Sequence, residues 1–401
     1  MENETRRITR PEDLPEAAAA LRLGGLVAVP TETVYGLCVN GLDSEAVARL
    51  YEVKGRPEIK PLSLMIAGPA EIKKYAEEIP PAAYSLAARF WPGPLTLVLP
   101  ARNTVPSIVR AGGSTIGLRC PDHKMTLSLL DRLRLPLAGP SANPSGKPSP
   151  KTAEEVLGYF DGVIDAVVDG GQCGLGREST ILDMSVRPFR ILRQGALARE
   201  DIHAALRQNL RIIGLTGGTG TGKSTVSGLL AEKGALSLDC DAIYHELLVN
   251  SADMLRELED RFPTAFTGGK PDRKALGAIV FADPAALSEL NAITHRYVKD
   301  EVHRRLDAFA WQGGTTAVID AIGLFESGLA EECSCTVGVL STRENRLKRI
   351  MRREGIGEEY ARSRIDAQQD DDFFESRCDY LLRNDGTTEE LMQECKTLFG
   401  I

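Results

Sequence analysis

The sequence predicts an α/β protein made of two successive units, and three observations carry that reading. Short apolar runs alternate with capped, amphipathic helical stretches from end to end. Gly217-x-x-x-x-Gly222-Lys223-Ser224 follows the apolar run RIIGLT and precedes STVSGLLAEKG, the strand–loop–helix order of a phosphate-binding loop. Such a loop usually opens its unit, yet here it begins past the middle of 401 residues. The roughly 200 residues ahead of it are enough to bury a core of their own.

In the first half, PEDLPEAAAALRLG reads as a helix ending at glycine and LVAVP as a buried strand. DSEAVARLYEVKGR has an Asp/Ser start and a Lys/Gly finish, the signals of a complete helix. LSLMI, LTLVLP, STIGLR, AVVDGG, STILDMS and FRILRQG read as further short strands. GPSANPSGKPSPKT is a Pro/Ser/Gly loop long enough to suggest function. LAREDIHAALRQNL closes the half as a helix, and Arg211 already opens the next strand. The expected units are therefore 1–208 and 209–401, with no flexible linker between them.

Charge divides unevenly across that boundary. Residues 1–208 hold 25 Lys/Arg against 24 Asp/Glu, and residues 209–401 hold 23 against 32. Neither half is a polybasic nucleic-acid binder by composition, which leaves room only for a local basic face on the first. The eight cysteines contain no CxxC pair, and Cys333-x-Cys335 reads as two residues of one strand. Five histidines show no ligand spacing. No signal-peptide pattern or long apolar run is present, so the expectation is a reduced, soluble, cytoplasmic chain without a membrane partner.

The second half carries kinase chemistry. In the loop, Gly218, Thr219, Gly220, Thr221, Gly222, Lys223, Ser224 and Thr225 are expected to wrap ATP phosphates with backbone N–H groups and a helix N-terminus. Lys223 should reach the β/γ-phosphates, and the Ser224 hydroxyl should ligate Mg²⁺. ALSLDCDAIYHELL places Asp239 and Asp241 at the edge of the next strand, where open α/β sheets collect their chemistry. If the strand runs through Asp241, both carboxylates share a face; if it stops at Asp239, their relation is open. A plainer reading makes at least one of them an N-cap of the helix AIYHELL. A carboxylate here is a candidate to orient or deprotonate the attacking hydroxyl, and Asp239 a candidate metal ligand.

Residues 211–401 resemble dephospho-CoA kinases through GLTGGTGTGKSTV, DCDAIYHEL, LNAITHRYV, VIDAIGLFESGL, RLKRIMRREGI, ARSRIDAQ and CDYLLRNDGTTEEL. The resemblance implies a P-loop nucleoside-triphosphate hydrolase fold with a parallel sheet and a lid. It also implies transfer of phosphate from ATP to the ribose 3′-hydroxyl of dephospho-CoA. By motif position, Asp241 matches the catalytic aspartate, and Arg349, Arg353 and Arg364 fall in the lid, where arginine forks suit phosphate oxygens. Three motifs depart from the family pattern. Asp320-Ala-Ile-Gly-Leu-Phe-Glu326 lacks a proline, Arg296 replaces the proline of the Thr-His-Pro stretch, and Arg346 stands where the lid motif opens with glutamine.

In the first half, cations and hydroxyls recur at strand ends and loops: Lys54-Gly-Arg56, Arg119, Ser141-Ala-Asn143, Ser149, Lys151, Arg177, Ser179 and Arg193. Such a set suits a polyphosphate together with a carboxylate-bearing ligand. Residues 10–200 resemble the YrdC-type threonylcarbamoyl-AMP synthases through PTETVYGL, KGRP, KPLSLMI, WPGPLTLVL, TIGLRCP, GPSANPSGKPSP, ESTILD and ILRQGAL. That resemblance implies a twisted α/β sheet around a concave groove. It implies an enzyme that joins L-threonine, bicarbonate and ATP with release of pyrophosphate, and that hands the product to tRNA-modification partner proteins. Lys54, Arg56 and Arg193 are the expected triphosphate or adenylate contacts, with Lys54 and Arg56 also catalytic through charge. Thr115, Ser141, Asn143 and Ser149 complete that ATP site, and Arg119, Thr31, Ser63 and Ser179 are expected at L-threonine. Mg²⁺ should accompany the nucleotide. Two competing readings of this half are an RNA-binding module of the same fold, which leaves direct tRNA binding open, and an adenylate hydrolase.

Overall fold

A computed structural model describes residues 4–400. The chain divides into two compact units: the residues up to Asn209 together with Trp311–Gly313, and Leu210–Ala310 together with the residues from Gly314 onward.

The first unit is built on a ten-stranded mixed sheet. Its strands are β1 (Arg6–Ile8), β2 (Val27–Val29), β3 (Gly36–Asn40), β4 (Ser63–Met65), β5 (Leu95–Pro100), β6 (Thr115–Arg119), β7 (Leu137–Ala138), β8 (Ala166–Val168), β9 (Thr180–Asp183) and β10 (Arg190–Arg193). They are ordered β1-β8-β2-β3-β7-β4-β6-β5-β9-β10. The six strands expected from LSLMI onward and the strand of LVAVP are all present. The sequence reading lacked β1, β3 and β7. β3 follows the TETVY turn and opens on glycine, and β7 has only two residues, too few to show a period of two.

The helix Ser44–Lys54 shows how local signals position the chemistry. Asp43 caps it by accepting from the Glu45 and Ala46 amides, and Gly55 ends it in the left-handed region at φ 57°. The reversal at Gly55 separates two neighbouring cations: Lys54, last in the helix, is buried, while Arg56 leaves on the other side of the turn. Ile8, Leu14, Leu21, Val27, Val29, Leu129 and Leu137 form a fully buried cluster beneath part of the sheet.

The second unit holds a five-stranded, all-parallel sheet ordered β12-β15-β11-β16-β17. These strands are β11 (Arg211–Thr216), β12 (Leu236–Asp239), β15 (Thr316–Asp320), β16 (Cys335–Leu340) and β17 (Tyr380–Arg383), with a small hairpin of β13 (Phe266–Thr267) and β14 (Lys270–Pro271) outside it. Parallel strands covered on both faces read as continuous apolar runs. Accordingly Ile213, Leu215, Val318, Val337 and Val339 are completely buried with Val226 of the helix Lys223–Glu232. Cys335 opens β16, whereas Cys333 precedes it at the end of a short 3-10 turn, so the expected strand pair is half right. No helix of the described residues is long and apolar enough to cross a membrane.

Candidate active sites

The first unit has a cleft of about 790 Å³ lined by residues of β4, β5, β6, β9 and β10 and by the turns after β2 and β7. Seven of the expected residues meet there: Thr31, Arg56, Ser63, Arg119, Ser141, Ser179 and Arg193. Four do not line it. Thr115 starts β6 and Arg119 ends it, so the two Cα atoms are separated by about 13 Å at the usual strand rise. Ser149 donates to Glu178 at 3.3 Å, and Asn143 accepts from the Ser141 hydroxyl.

Lys54 corrects the sequence reading most. It is 3% exposed, and its ammonium donates to the backbone carbonyls of Ser141 and Asn143 instead of facing the cleft. Burial, then the charge of Arg56, brings its pKa down to about 8. Arg56 stands at the cleft with its guanidinium on the carbonyls of Lys60 and Pro61.

Two carboxylates absent from the sequence reading complete the cleft's electrostatics. Arg119 Nη2 donates to Glu32 at 2.7 Å and to the Thr33 hydroxyl at 2.9 Å. Arg193 donates to Glu178 at 2.6 Å and to the Ser179 hydroxyl at 3.2 Å. Each carboxylate gives its guanidinium a counter-charge. Their signal in the sequence was the lone acid in PTETVYGL and the one in REST. Ser179 also bonds Thr96 at 2.9 Å, and the buried Thr31 hydroxyl donates to Val34 O at 2.7 Å.

Gly195 packs closely against the backbone of Glu178 and Ser179. Its amide donates to Thr180 Oγ1 at 2.9 Å, and a Cβ there would overlap the backbone carbonyls of Glu178 and Ser179. Gly195→Ala must push the strands' ends apart beneath Arg193. We expect it to destabilise the first unit by about 1–3 kcal/mol, read as a lower midpoint of its thermal transition, with the second unit's transition unmoved.

Two neighbouring clefts of the second unit carry the expected residues. One, of about 900 Å³, is lined by Thr219, Gly220, Gly222, Lys223, Ser224 and Thr225 of the loop, by Asp239, Asp241 and Asp320, and by Arg349, Arg353 and Arg364. Gly218 and Thr221 lie off its lining; Thr221 braces the loop by donating to Gly218 O at 2.9 Å. Gly222 takes φ 102° at the helix start, a conformation that L side chains avoid. Lys223 donates to Gly217 O at 3.0 Å, which curls its side chain over the loop.

β12 stops at Asp239, which settles the strand question. Asp239 Oδ1 caps the helix Cys240–Asn250 by accepting from the Asp241 and Ala242 amides, and Asp241 sits in that helix's first turn. Asp320, at the end of β15 and opposite Asp239 in register, belongs to the same carboxylate group and was not singled out from sequence. Burial raises its pKa to about 6, against the pull of Lys223 and with reinforcement from Asp239 and Asp241.

Arg349 is built into the frame of the loop: it donates to Gly220 O and Thr221 O at 3.3 Å and to Asn384 O at 2.8 Å. Arg353 and Arg364 both pair with Glu354. A second cleft of about 740 Å³ is more apolar, with Tyr244, Leu290, Thr294, His295 and Leu329 on its walls, and it shares Asp241 and Ile322 with the first.

Comparison with known proteins divides the chain at the same place. Residues 19–195 match the Sua5/YciO/YrdC family, described as "Telomere recombination", and residues 211–390 match the family described as dephospho-CoA kinase. Over 190 residues the chain is 47% identical to a threonylcarbamoyl-AMP synthase of Pyrococcus abyssi, covering 47% of this chain and 56% of that protein. A Bacillus subtilis protein of the same name is 44% identical over 199 residues, 49% of this chain and 58% of its own length. The chain thus spans little more than half of these two relatives. A dephospho-CoA kinase of Anaeromyxobacter dehalogenans is 39% identical over 193 residues, 48% of this chain and 92% of that protein. The chain belongs to the dephospho-CoA kinase family through its second unit, and it is a fusion of that kinase domain with a preceding domain of the Sua5/YciO/YrdC type.

Proposed function

We propose that the chain is a bifunctional enzyme, forming threonylcarbamoyl-AMP in its first unit and phosphorylating dephospho-CoA in its second. The observation that carries the proposal is a pair of cation-lined clefts, each confined to its own unit.

In the first cleft two anions must meet: the carbamate of threonine and the triphosphate. Arg56 and Arg193 stand at the phosphates, and Arg119 takes the threonine carboxylate, sharing its five donors with Glu32. Thr31, Ser63 and Ser179 supply hydroxyls near the amino acid, and Ser141 near the nucleotide. The carbamate oxygen attacks the α-phosphorus, and pyrophosphate leaves. Lys54 and Asn143 act behind the cleft by holding the 141–143 turn. No side chain is needed as a nucleophile, because position and charge accomplish the step. The product would pass to tRNA-modifying partner proteins.

In the second unit, ATP phosphates lie on the loop amides and Lys223, flanked by Arg353 and Arg364 released from Glu354. Asp241, on the boundary of both clefts, meets the ribose 3′-hydroxyl of an acceptor held in the more apolar one. Ser224 and Asp239 fit Mg²⁺, since the hard oxygens Mg²⁺ prefers line the phosphate cleft. Bound there with the nucleotide, the ion would neutralise phosphate charge.

Both activities are tested on the full chain. Pyrophosphate release should require threonine and bicarbonate together, and ADP formation should require dephospho-CoA. Release indifferent to threonine would replace the synthase with an adenylate hydrolase, and neither release nor threonine binding would favour the RNA-binding module.

A further inference from the structure

We infer that Arg346 and Gln368 form a latch that fixes the phosphate loop in its ATP-binding shape before nucleotide arrives, making Arg346 a positioning residue for the kinase. The inference rests on the kinase reading and adds to it a function for the one lid residue that departs from the expected glutamine.

The contacts centre on Thr219. Arg346 Nε donates to Thr219 O at 3.1 Å, and its Nη2 donates to Gln368 Oε1 at 3.0 Å. The same Oε1 accepts from the Thr219 amide at 2.7 Å, and Gln368 Nε2 donates to the Thr219 hydroxyl at 2.6 Å. Every polar group of Thr219 is therefore held by a side chain from the lid region. Arg346 belongs to the helix Arg343–Glu354, and Gln368 follows the helix Glu358–Asp366, so the latch ties both helices to one loop residue.

Arg346 and Thr219 are each 6% exposed, so these bonds lie where water does not compete. The guanidinium also lies flat on the loop: a Cβ on Gly218 would overlap it, and one on Gly220 would press on the Arg346 carbonyl. With the Thr219 amide committed to Gln368, the phosphates are left to the amides that follow it. A buried cation beside the loop adds to the field that draws phosphate in. Glutamine at position 346 lacks both the charge and the paired Nε and Nη2 donors that reach two acceptors side by side, and lysine keeps only the charge.

The test uses the full-length chain with Arg346→Lys, Arg346→Gln, Gln368→Ala and the double variant Arg346→Lys/Gln368→Ala. Without nucleotide, hydrogen exchange across 216–225 should rise about tenfold in each single variant, the loss expected for a buried charge-assisted bond. In kinase assays KM for ATP should rise about tenfold while kcat and KM for dephospho-CoA stay within about twofold. The double variant should be no worse than either single, because one latch is broken in each case. Unchanged exchange, an unchanged KM for ATP, or additive losses in the double variant would each overturn the latch. If the unsubstituted chain failed to phosphorylate dephospho-CoA, the kinase reading would fall while hydrogen exchange still decided the latch. Should the Arg346 variants not fold, Gln368→Ala decides it on both readouts.

Discussion

Lys223→Ala should abolish the kinase and spare the synthase. The ammonium is the loop's only side-chain cation, it lines the phosphate cleft, and it faces Asp239, Asp241 and Asp320. Burial holds its pKa below the usual lysine range, and the three carboxylates Asp320, Asp241 and Asp239 oppose that shift. Removing one such charge from a preorganised site lowers turnover by roughly a hundred- to a thousandfold. It also leaves three neighbouring carboxylates with less compensation, which weakens ATP binding further. Threonine-dependent pyrophosphate release, measured on the same preparation, should change by less than about twofold, since no residue of the second unit lines the first cleft. Loss of both activities in a chain that still shows its normal thermal transitions would show that the two sites are not independent.

How much of this was legible depended on how local each signal was. The phosphate loop is contiguous, and its strand–loop–helix context sits within about 25 residues, so its cleft, Lys223 and the two aspartates could be placed from sequence. Which aspartate caps the helix could not, because that turns on whether β12 ends at Asp239 or runs two residues further. Glu32, Glu178 and Asp320 were not assigned to a site from sequence for a different reason. Each is meaningful as a counter-charge: Glu32 meets Arg119 87 residues on, Glu178 meets Arg193 across the β9–β10 pair, and Asp320 lies near Lys223. Arg346 was legible as a departure but not as a contact: its partners Thr219 and Gln368 lie 127 and 22 residues away. TIGLR carries Arg119 to the cleft and leaves Thr115 at the other end of β6, because a motif can share a strand but not an end of it.

Lys54 is the residue whose reading changed most, and its substitution has the second large effect. Lys54→Met keeps the length of the side chain and removes both donors from Ser141 O and Asn143 O in a buried setting. Asn143 O then loses its donor, while Ser141 O keeps the Asn143 amide at 3.0 Å. An unpaired buried carbonyl costs about 1–3 kcal/mol, so the first unit's thermal transition should fall while the second's does not. The turn keeps one tie to this helix end, the Ser145 amide on Lys54 O at 2.9 Å, so it loosens without detaching. Ser141 then drifts at the cleft wall, and synthase activity should drop at least about tenfold, through KM for threonine as well as for ATP. A direct phosphate ligand would behave otherwise, raising KM for ATP alone and leaving the transition in place. The pH dependence separates the two roles again. With a folded pKa of about 8 against an ordinary 10.5, the unfolded chain holds more protons between those values, so the first unit gains stability as pH rises through them. Lys54→Met should lack that gain, and a variant that kept it would remove Lys54 from its place behind the turn.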